Sequence, residues 1–99
     1  MFQVRFTASF EAWLVNLRDR QGRNIILSRI DRAVCGHLGD IRSVGSGVSE
    51  LRIHHGPGYR VYLTRQGQDV LLLLVGGDKS TQARDIELAI RLKNEAEGT

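Results

Sequence analysis

Six consecutive apolar residues, Val70 to Val75, constrain the fold of this chain more than any other segment. A strand with one solvated face alternates apolar and polar residues, whereas a short continuous apolar run is typical of a strand covered on both faces. The run lies between a turn-forming segment, Gln66 to Gln68, and the glycine pair Gly76-Gly77. We therefore expect a strand in the middle of a sheet, buried on both faces.

The segment before this run has the pattern of a β-hairpin. Leu51 and Ile53 alternate with polar residues, and Val61 and Leu63 do the same after the tripeptide Gly56-Pro57-Gly58. Proline fixes φ and glycine accepts a positive φ, so the tripeptide is suited to a turn. Shorter strands are expected over residues 2–6, where every second residue is apolar, and between Asp40 and Val48.

Three other segments have helical periodicity. Their apolar positions are Phe10, Trp13, Leu14 and Leu17, then Ile26, Ile30, Val34 and Leu38, and finally Ala83, Ile86, Ala89 and Ile90. We expect the second helix to end at Gly39 and the third to begin near Ser80. The first two helices, joined by a short polar connection, predict a helical hairpin covering an apolar surface. The sequence therefore predicts an α+β fold.

Length and charge limit the organisation and the partners. A chain of 99 residues is long enough for one core, so we expect a single domain over residues 1–99. The formal net charge of +3 is compatible with a nucleic-acid or acidic protein partner. Cys35 cannot form an internal disulfide, and Cys35 with His37 gives too few ligands for a metal site, so we expect neither cofactor nor metal. No segment resembles a signal peptide or a membrane span, which predicts a cytoplasmic protein without membrane contact.

The hairpin carries the residues of most chemical interest. If its apolar positions face the core, Arg52, His54, Arg60 and Tyr62 share the opposite face, which would be cationic and aromatic. Arginine can contact phosphate, tyrosine can stack on a base, and histidine can transfer a proton. The alternative is an ordinary solvated strand face.

A second candidate follows the apolar run, where Gly76-Gly77-Asp78-Lys79 leads into the last helix. Lys79 could contact a phosphate, but the spacing of a nucleotide-binding loop is absent, so nucleotide hydrolysis is not expected. The alternative is that Asp78 or Ser80 simply caps the helix. His55 falls on the core-facing phase of its strand, so we expect it to be structural.

With these segments in place, the sequence resembles bacterial toxins of the RelE/ParE superfamily, in the HigB-like branch of addiction-module killer proteins. The most specific similarity lies in ELRIHHGPGYRVYL and in GGDKSTQARDIELA. The resemblance implies a RelE-like microbial RNase-type fold, a small antiparallel sheet with the two early helices on one side. It also implies a toxin that cuts messenger RNA on the ribosome without metal and is neutralised by a cognate antitoxin. ParE-like members instead inhibit DNA gyrase, and an inactive domain retained for antitoxin-linked DNA binding is a third reading.

The resemblance also assigns roles to residues. Arg60 matches the arginine that contacts the scissile phosphate, Arg52 a basic position on the preceding strand, and Lys79 a basic site after the buried strand. RelE-like nucleases commonly carry a tyrosine or histidine near the last helix, and this helix has neither. His54 is therefore the expected proton-transfer group. The remaining predicted substrate contacts are Tyr59 and Tyr62.

Overall fold

The structure, a computed structural model, describes residues 1–98. One five-stranded sheet has the order β1-β5-β4-β3-β2. Its strands are β1 (Gln3–Phe6), β2 (Ile41–Gly45), β3 (Val48–Ile53), β4 (Tyr59–Gln66) and β5 (Val70–Asp78). The helices are α1 (Ala8–Val15), α2 (Arg20–Val34) and α3 (Gln82–Glu97), and a 3₁₀ turn (Lys79–Thr81) precedes α3. The predicted α+β class and the β3–β4 hairpin are confirmed.

The sheet is mixed, so the expectation of an antiparallel sheet is wrong at one edge. Strands β2 to β5 pair in antiparallel fashion, but β1 runs parallel to β5, with Gln3 opposite Val70 and Phe6 opposite Leu73. The alternation of Phe2, Val4 and Phe6 identifies a strand but is the same for either direction of pairing. The pattern therefore could not specify that β1 would lie parallel to β5.

The first two helices cover one face of the sheet. Each begins at a side-chain cap: Thr7 accepts a hydrogen bond from Phe10 N (3.0 Å), and Asp19 accepts one from Gly22 N (2.9 Å). Phe10, Leu14, Ile26, Ile30 and Ala33 form one apolar cluster with Leu51, Ile53, Tyr59, Val61, Leu63, Leu71 and Leu73. Helix α2 ends at Val34, earlier than the predicted Gly39.

Helix α3 covers the opposite face. Ala89 on α3 joins a second apolar cluster with Val48, Tyr62, Leu72, Leu74 and Val75. Leu71 and Leu73 thus face α1 and α2, while Leu72 and Leu74 face α3, which confirms that β5 is buried on both faces. No helix within residues 1–98 is long and apolar enough to cross a membrane.

The glycine pair at the end of β5 allows a helix to approach each face closely. A methyl group at Gly76 would collide with the indole ring of Trp13 on α1. A methyl group at Gly77 would collide with the carboxylate of Asp85 on α3. Because both positions lack a side chain, α1 and α3 can dock directly on the backbone of β5.

Candidate functional site

A cavity of about 340 Å³ opens at the turn between β3 and β4, beside the start of the 3₁₀ turn. Its lining consists of Arg52, His54, His55, Gly56, Pro57, Gly58, Arg60 and Lys79. All four residues predicted to be catalytic therefore lie at one site. Among the described residues, the lining includes no carboxylate, so the site has the charge of an anion-binding pocket.

The two arginines are direct neighbours across the sheet. Arg52 on β3 pairs with Arg60 on β4, an arrangement of like charges that destabilises a sheet unless something else compensates. Arg60 is only 5% exposed, and its Nη1 donates to the carbonyl oxygens of Gly58 (3.1 Å) and Tyr59 (3.3 Å). These two hydrogen bonds fix the guanidinium at the wall of the cavity.

Behind Arg60 lies a carboxylate that sequence reasoning missed. Oε1 of Glu50 is 3.9 Å from Nε of Arg60, and both side chains are buried. The other carboxylate oxygen accepts a hydrogen bond from Gln82 at the start of α3 (3.0 Å). Glu50 looked like an ordinary polar position in an alternating strand, and only the packing of α3 over that face reveals its environment.

Lys79 reaches the cavity from the 3₁₀ turn, where its side chain is exposed. Gly58 has a φ of +80° and lies against both Lys79 and Arg60, so the hairpin turn and the 3₁₀ turn meet at this glycine. Asp78 caps the turn by accepting a hydrogen bond from Ser80 N (2.8 Å), and the Ser80 hydroxyl and this N–H lower the pKa of Asp78. The two interpretations of this segment are therefore compatible: Asp78 caps the 3₁₀ turn, and Lys79 lines the cavity.

His54 is held by a carboxylate at the outer side of the cavity. Its Nε2 is 2.6 Å from Oδ2 of Asp40, a distance at which the ring N–H donates to the carboxylate. This hydrogen bond is the main cause of the lowered pKa of Asp40. With Nε2 as the donor, Nδ1 of the neutral ring is free to accept a proton, and the side chain is 66% exposed.

His55 also lines the cavity, although its strand phase predicted a structural role. The reason is local: β3 ends at Ile53, and the N–H of His55 donates to Ile53 O (2.9 Å), which forms a tight turn at His54. Strict alternation therefore stops before the two histidines. Nε2 of His55 is 3.5 Å from Oδ2 of Asp19, and the ring is 25% exposed.

Asp19 joins His55 to the fold. It accepts hydrogen bonds from Gly22 N and from the hydroxyl of Tyr59 (2.9 Å), and these bonds lower its pKa. Burial, followed by the hydrogen bond to Asp19, raises the pKa of Tyr59 to about 12. Asp19 and Asp40 lie 36 and 14 residues before their histidines, and no sequence spacing linked either pair.

Strand alternation correctly placed Arg52, Arg60 and Tyr62 on one face of the hairpin, but the prediction that this face is exposed at Tyr62 is wrong. Tyr62 is 0% exposed because α3 packs over it, and burial raises the pKa of its hydroxyl. Tyr59 is buried on the other face of the sheet, in the cluster formed with α1 and α2. A tyrosine ring covered in this way cannot stack on a base, so the structure contradicts a substrate contact for either residue.

Within residues 1–98, no group of three or more histidine, cysteine, aspartate or glutamate side chains is arranged to hold a metal ion. Cys35 is exposed at the residue that follows α2. The ionisable side chains that line the cavity carry guanidinium, ammonium and imidazole groups.

The chain is similar in sequence to a bacterial protein. No protein-family model matches it. An uncharacterized protein of Haemophilus influenzae is 46% identical over 93 residues, which cover 94% of this chain and 94% of that protein. At this identity and coverage, the chain belongs to the same family as the Haemophilus influenzae protein.

Proposed function

We propose that the protein is the toxin of a type II toxin–antitoxin pair and that it cleaves messenger RNA on the ribosome. The observation that carries the proposal is the convergence of Arg52, His54, Arg60 and Lys79 on one cavity. Three cations suit a phosphate, and a histidine oriented by Asp40 suits proton transfer beside it. The resemblance to the HigB-like branch of the RelE/ParE superfamily supports the same conclusion, and a RelE-like microbial RNase-type fold is proposed with it.

In the proposed reaction His54 removes the proton of a ribose 2′-hydroxyl, and the 2′-oxygen attacks the adjacent phosphorus. Arg52, Arg60 and Lys79 stabilise the additional negative charge of the phosphorane, and each is expected to contribute roughly 2–4 kcal/mol. The ribosome would hold the messenger in the geometry for in-line attack. No step requires a metal or cofactor.

The proposal names three partners: messenger RNA, the ribosome and a cognate antitoxin. An acidic or helical antitoxin segment could cover the cationic cavity, because opposite charges steer such partners together. Because the proposed substrate is messenger RNA on ribosomes, a cytoplasmic location is part of the proposal.

Growth and RNA mapping test the proposal together. Brief induction of the parent protein should arrest growth and create new messenger 5′ ends. Arg60→Ala and His54→Ala should lower the cleavage that produces these ends by roughly 10- to 1,000-fold, on the order expected for charge stabilisation and proton transfer, and should not arrest growth. Arg84→Ala is the matched control, because this arginine is 78% exposed on α3 and does not line the cavity. Full arrest by both cavity variants would contradict the site assignment.

The alternative, a ParE-like inhibitor of DNA gyrase, has one observation in its favour. An apolar groove of about 360 Å³ lies along α1 between Ala8 and Val15, and Val15 is 68% exposed. An inhibitor that acts by binding would use such a helix surface rather than the cationic cavity. Gyrase-dependent DNA breaks without new messenger 5′ ends would favour this alternative and reject the nuclease.

A further inference from the structure

The proposed reaction includes one proton transfer to which no residue has been assigned. When the bond between phosphorus and the 5′-oxygen breaks, the 5′-oxygen leaves as an alkoxide, and this step is slow unless a proton is supplied. His54 becomes protonated on the attacking side and cannot also serve the leaving oxygen in the same step. Arg52, Arg60 and Lys79 already have the role of stabilising the phosphate, so His55 is the side chain of the described cavity lining that has no role yet and carries an acid–base group.

The structure provides two histidine–carboxylate pairs at this cavity, built from different parts of the fold. Asp40, whose backbone carbonyl accepts a hydrogen bond from Arg52 N, holds His54. Asp19, the cap of α2, lies beside His55. The tight turn at His54 ends the strand, so adjacent residues that would point to opposite faces of a sheet both line one cavity.

We propose that His55 is the general acid that protonates the leaving 5′-oxygen, an assignment that rests on the proposed function. The 2′-oxygen forms a bond to phosphorus as His54 takes its proton. The P–O5′ bond breaks, its electron pair stays on the 5′-oxygen, and His55 transfers a proton to that oxygen. The products are a 2′,3′-cyclic phosphate and a 5′-hydroxyl, and exchange with water restores both histidines.

The charges around His55 are compatible with this role. Asp19 and Tyr59 face it from the core side, while Arg52, His54, Arg60 and Lys79 share the cavity. The Asp19 carboxylate, 3.5 Å from Nε2 of His55, is itself held in place by Gly22 N and the Tyr59 hydroxyl, so it can orient the imidazole ring. A bound phosphate would offset the cations on the other side.

A substrate with a sulfur leaving group tests the assignment. Messenger RNA is prepared with sulfur in place of the 5′-oxygen at a mapped cleavage position and is presented on stalled ribosomes, beside the ordinary RNA. A thiolate leaves without a proton because a thiol, with a pKa of about 8.5, is a far stronger acid than an alcohol. His55→Ala should slow cleavage of the ordinary RNA by roughly 100-fold or more, yet cleave the sulfur RNA within about threefold of the parent rate.

Two controls make the result specific. His54→Ala should remain slow on both RNAs, since sulfur does not replace the base, and His37→Ala should match the parent, because His37 is exposed beyond α2 and outside the cavity lining. His55→Gln provides a second variant if the alanine protein fails to fold.

Three results would overturn the assignment. The first is a His55→Ala protein that cleaves the ordinary RNA at the parent rate. The second is an equal loss of cleavage rate on both RNAs in both His55 variants. The third is a His54→Ala protein whose cleavage rate is restored by the sulfur RNA. A parent protein that cleaves neither RNA would reject the proposed function itself, and this inference with it. Since the parent is assayed in parallel, the two failures are distinguishable.

Discussion

At the scale of single residues, the candidate site carries an electrostatic cost. Arg52 and Arg60 are opposite one another, and the Nε atom of each is buried without a hydrogen-bond partner among the described residues. Uncompensated buried charge is unfavourable, so the buried carboxylate of Glu50 beside Arg60 is important for stability. Such a cost is common where a site must hold positive charge ready for a ligand.

Removal of the Glu50 charge should therefore destabilise the protein. Glu50→Gln preserves the shape of the side chain but removes the ion-pair partner of the buried Arg60, and we expect the free energy of unfolding to fall by roughly 3 kcal/mol. Urea unfolding followed by Trp13 fluorescence measures the change. Glu87→Gln makes the same replacement at an exposed position of α3 and should stay within about 0.5 kcal/mol of the parent. Equal effects of the two variants would show that the Glu50–Arg60 contact contributes little.

The sequence predicted which residues lie at this site better than it predicted their burial and their hydrogen-bond partners. Period-2 alternation correctly placed Arg52 and Arg60 on one face, because side-chain direction in a strand follows from position alone. Burial of Tyr62 could not be predicted in this way, since it depends on where α3 docks. The carboxylates of Asp19 and Asp40 were also missed, because their contacts with the histidines join segments that are distant in sequence.

At the scale of elements, β5 organises the helices on both sides of the sheet. Trp13 packs on the backbone at Gly76, and Asp85 packs on the backbone at Gly77. The sequence showed a glycine pair after an apolar strand, and we interpreted it as the approach to a phosphate site. The structure shows that both glycines are needed for helix packing, while Lys79 alone of this segment reaches the cavity.

The contact between Trp13 and Gly76 can be tested by a double-mutant cycle. Gly76→Ala should lower the free energy of unfolding by about 2 kcal/mol, because the added methyl group overlaps the indole ring. In a Trp13→Leu background the same change should cost less than about 1 kcal/mol, since the ring is gone. Denaturant unfolding followed by circular dichroism serves all four proteins. A cost that is the same in both backgrounds would mean that the strain at Gly76 has another origin.

Secondary structure was predictable to the extent that it follows from local pattern. Sequence patterns predicted the three helices and the five strands that the structure shows within residues 1–98. The parallel pairing of β1 with β5 and the early end of α2 were not predicted. The first depends on contacts between residues far apart in the chain, and the second on the turn in which Gly36 adopts a φ of +91°.

At the scale of the whole molecule, the titrating groups define the pH range in which the fold is most stable. Hydrogen bonds lower the pKa of Asp19, Asp40 and Asp78 below the usual range. These carboxylates therefore stabilise the fold above the unfolded pKa, and the contribution disappears as pH falls through the folded values. Tyr59 has the opposite shift, so its contribution is complete below about pH 10 and is lost as pH rises toward about 12.

The expected stability profile is a plateau near neutral pH with losses on both sides. The urea midpoint should fall below about pH 4, as the three carboxylates take up protons, and again above about pH 10. Tyr59→Phe should reduce the alkaline loss in part and leave most of the acid loss, because it removes one of the two tyrosine hydroxyls with a raised pKa but keeps Asp40 and Asp78. A midpoint that does not change between pH 6 and pH 3 would contradict the role given to the carboxylates.

The parallel pairing of β1 with β5 also affects how the protein is made. The Thr7 hydroxyl at the end of β1 donates to the carbonyl of Leu74, a residue 67 positions later in the chain. At a synthesis rate of roughly 5–20 residues per second, β1 leaves the ribosome several seconds before its pairing partner. Throughout that interval β5 is missing from the sheet and Lys79 has not been added, so the nascent chain cannot assemble the cationic cavity. A growing chain of this protein therefore has no assembled cavity until β5 and Lys79 have been translated.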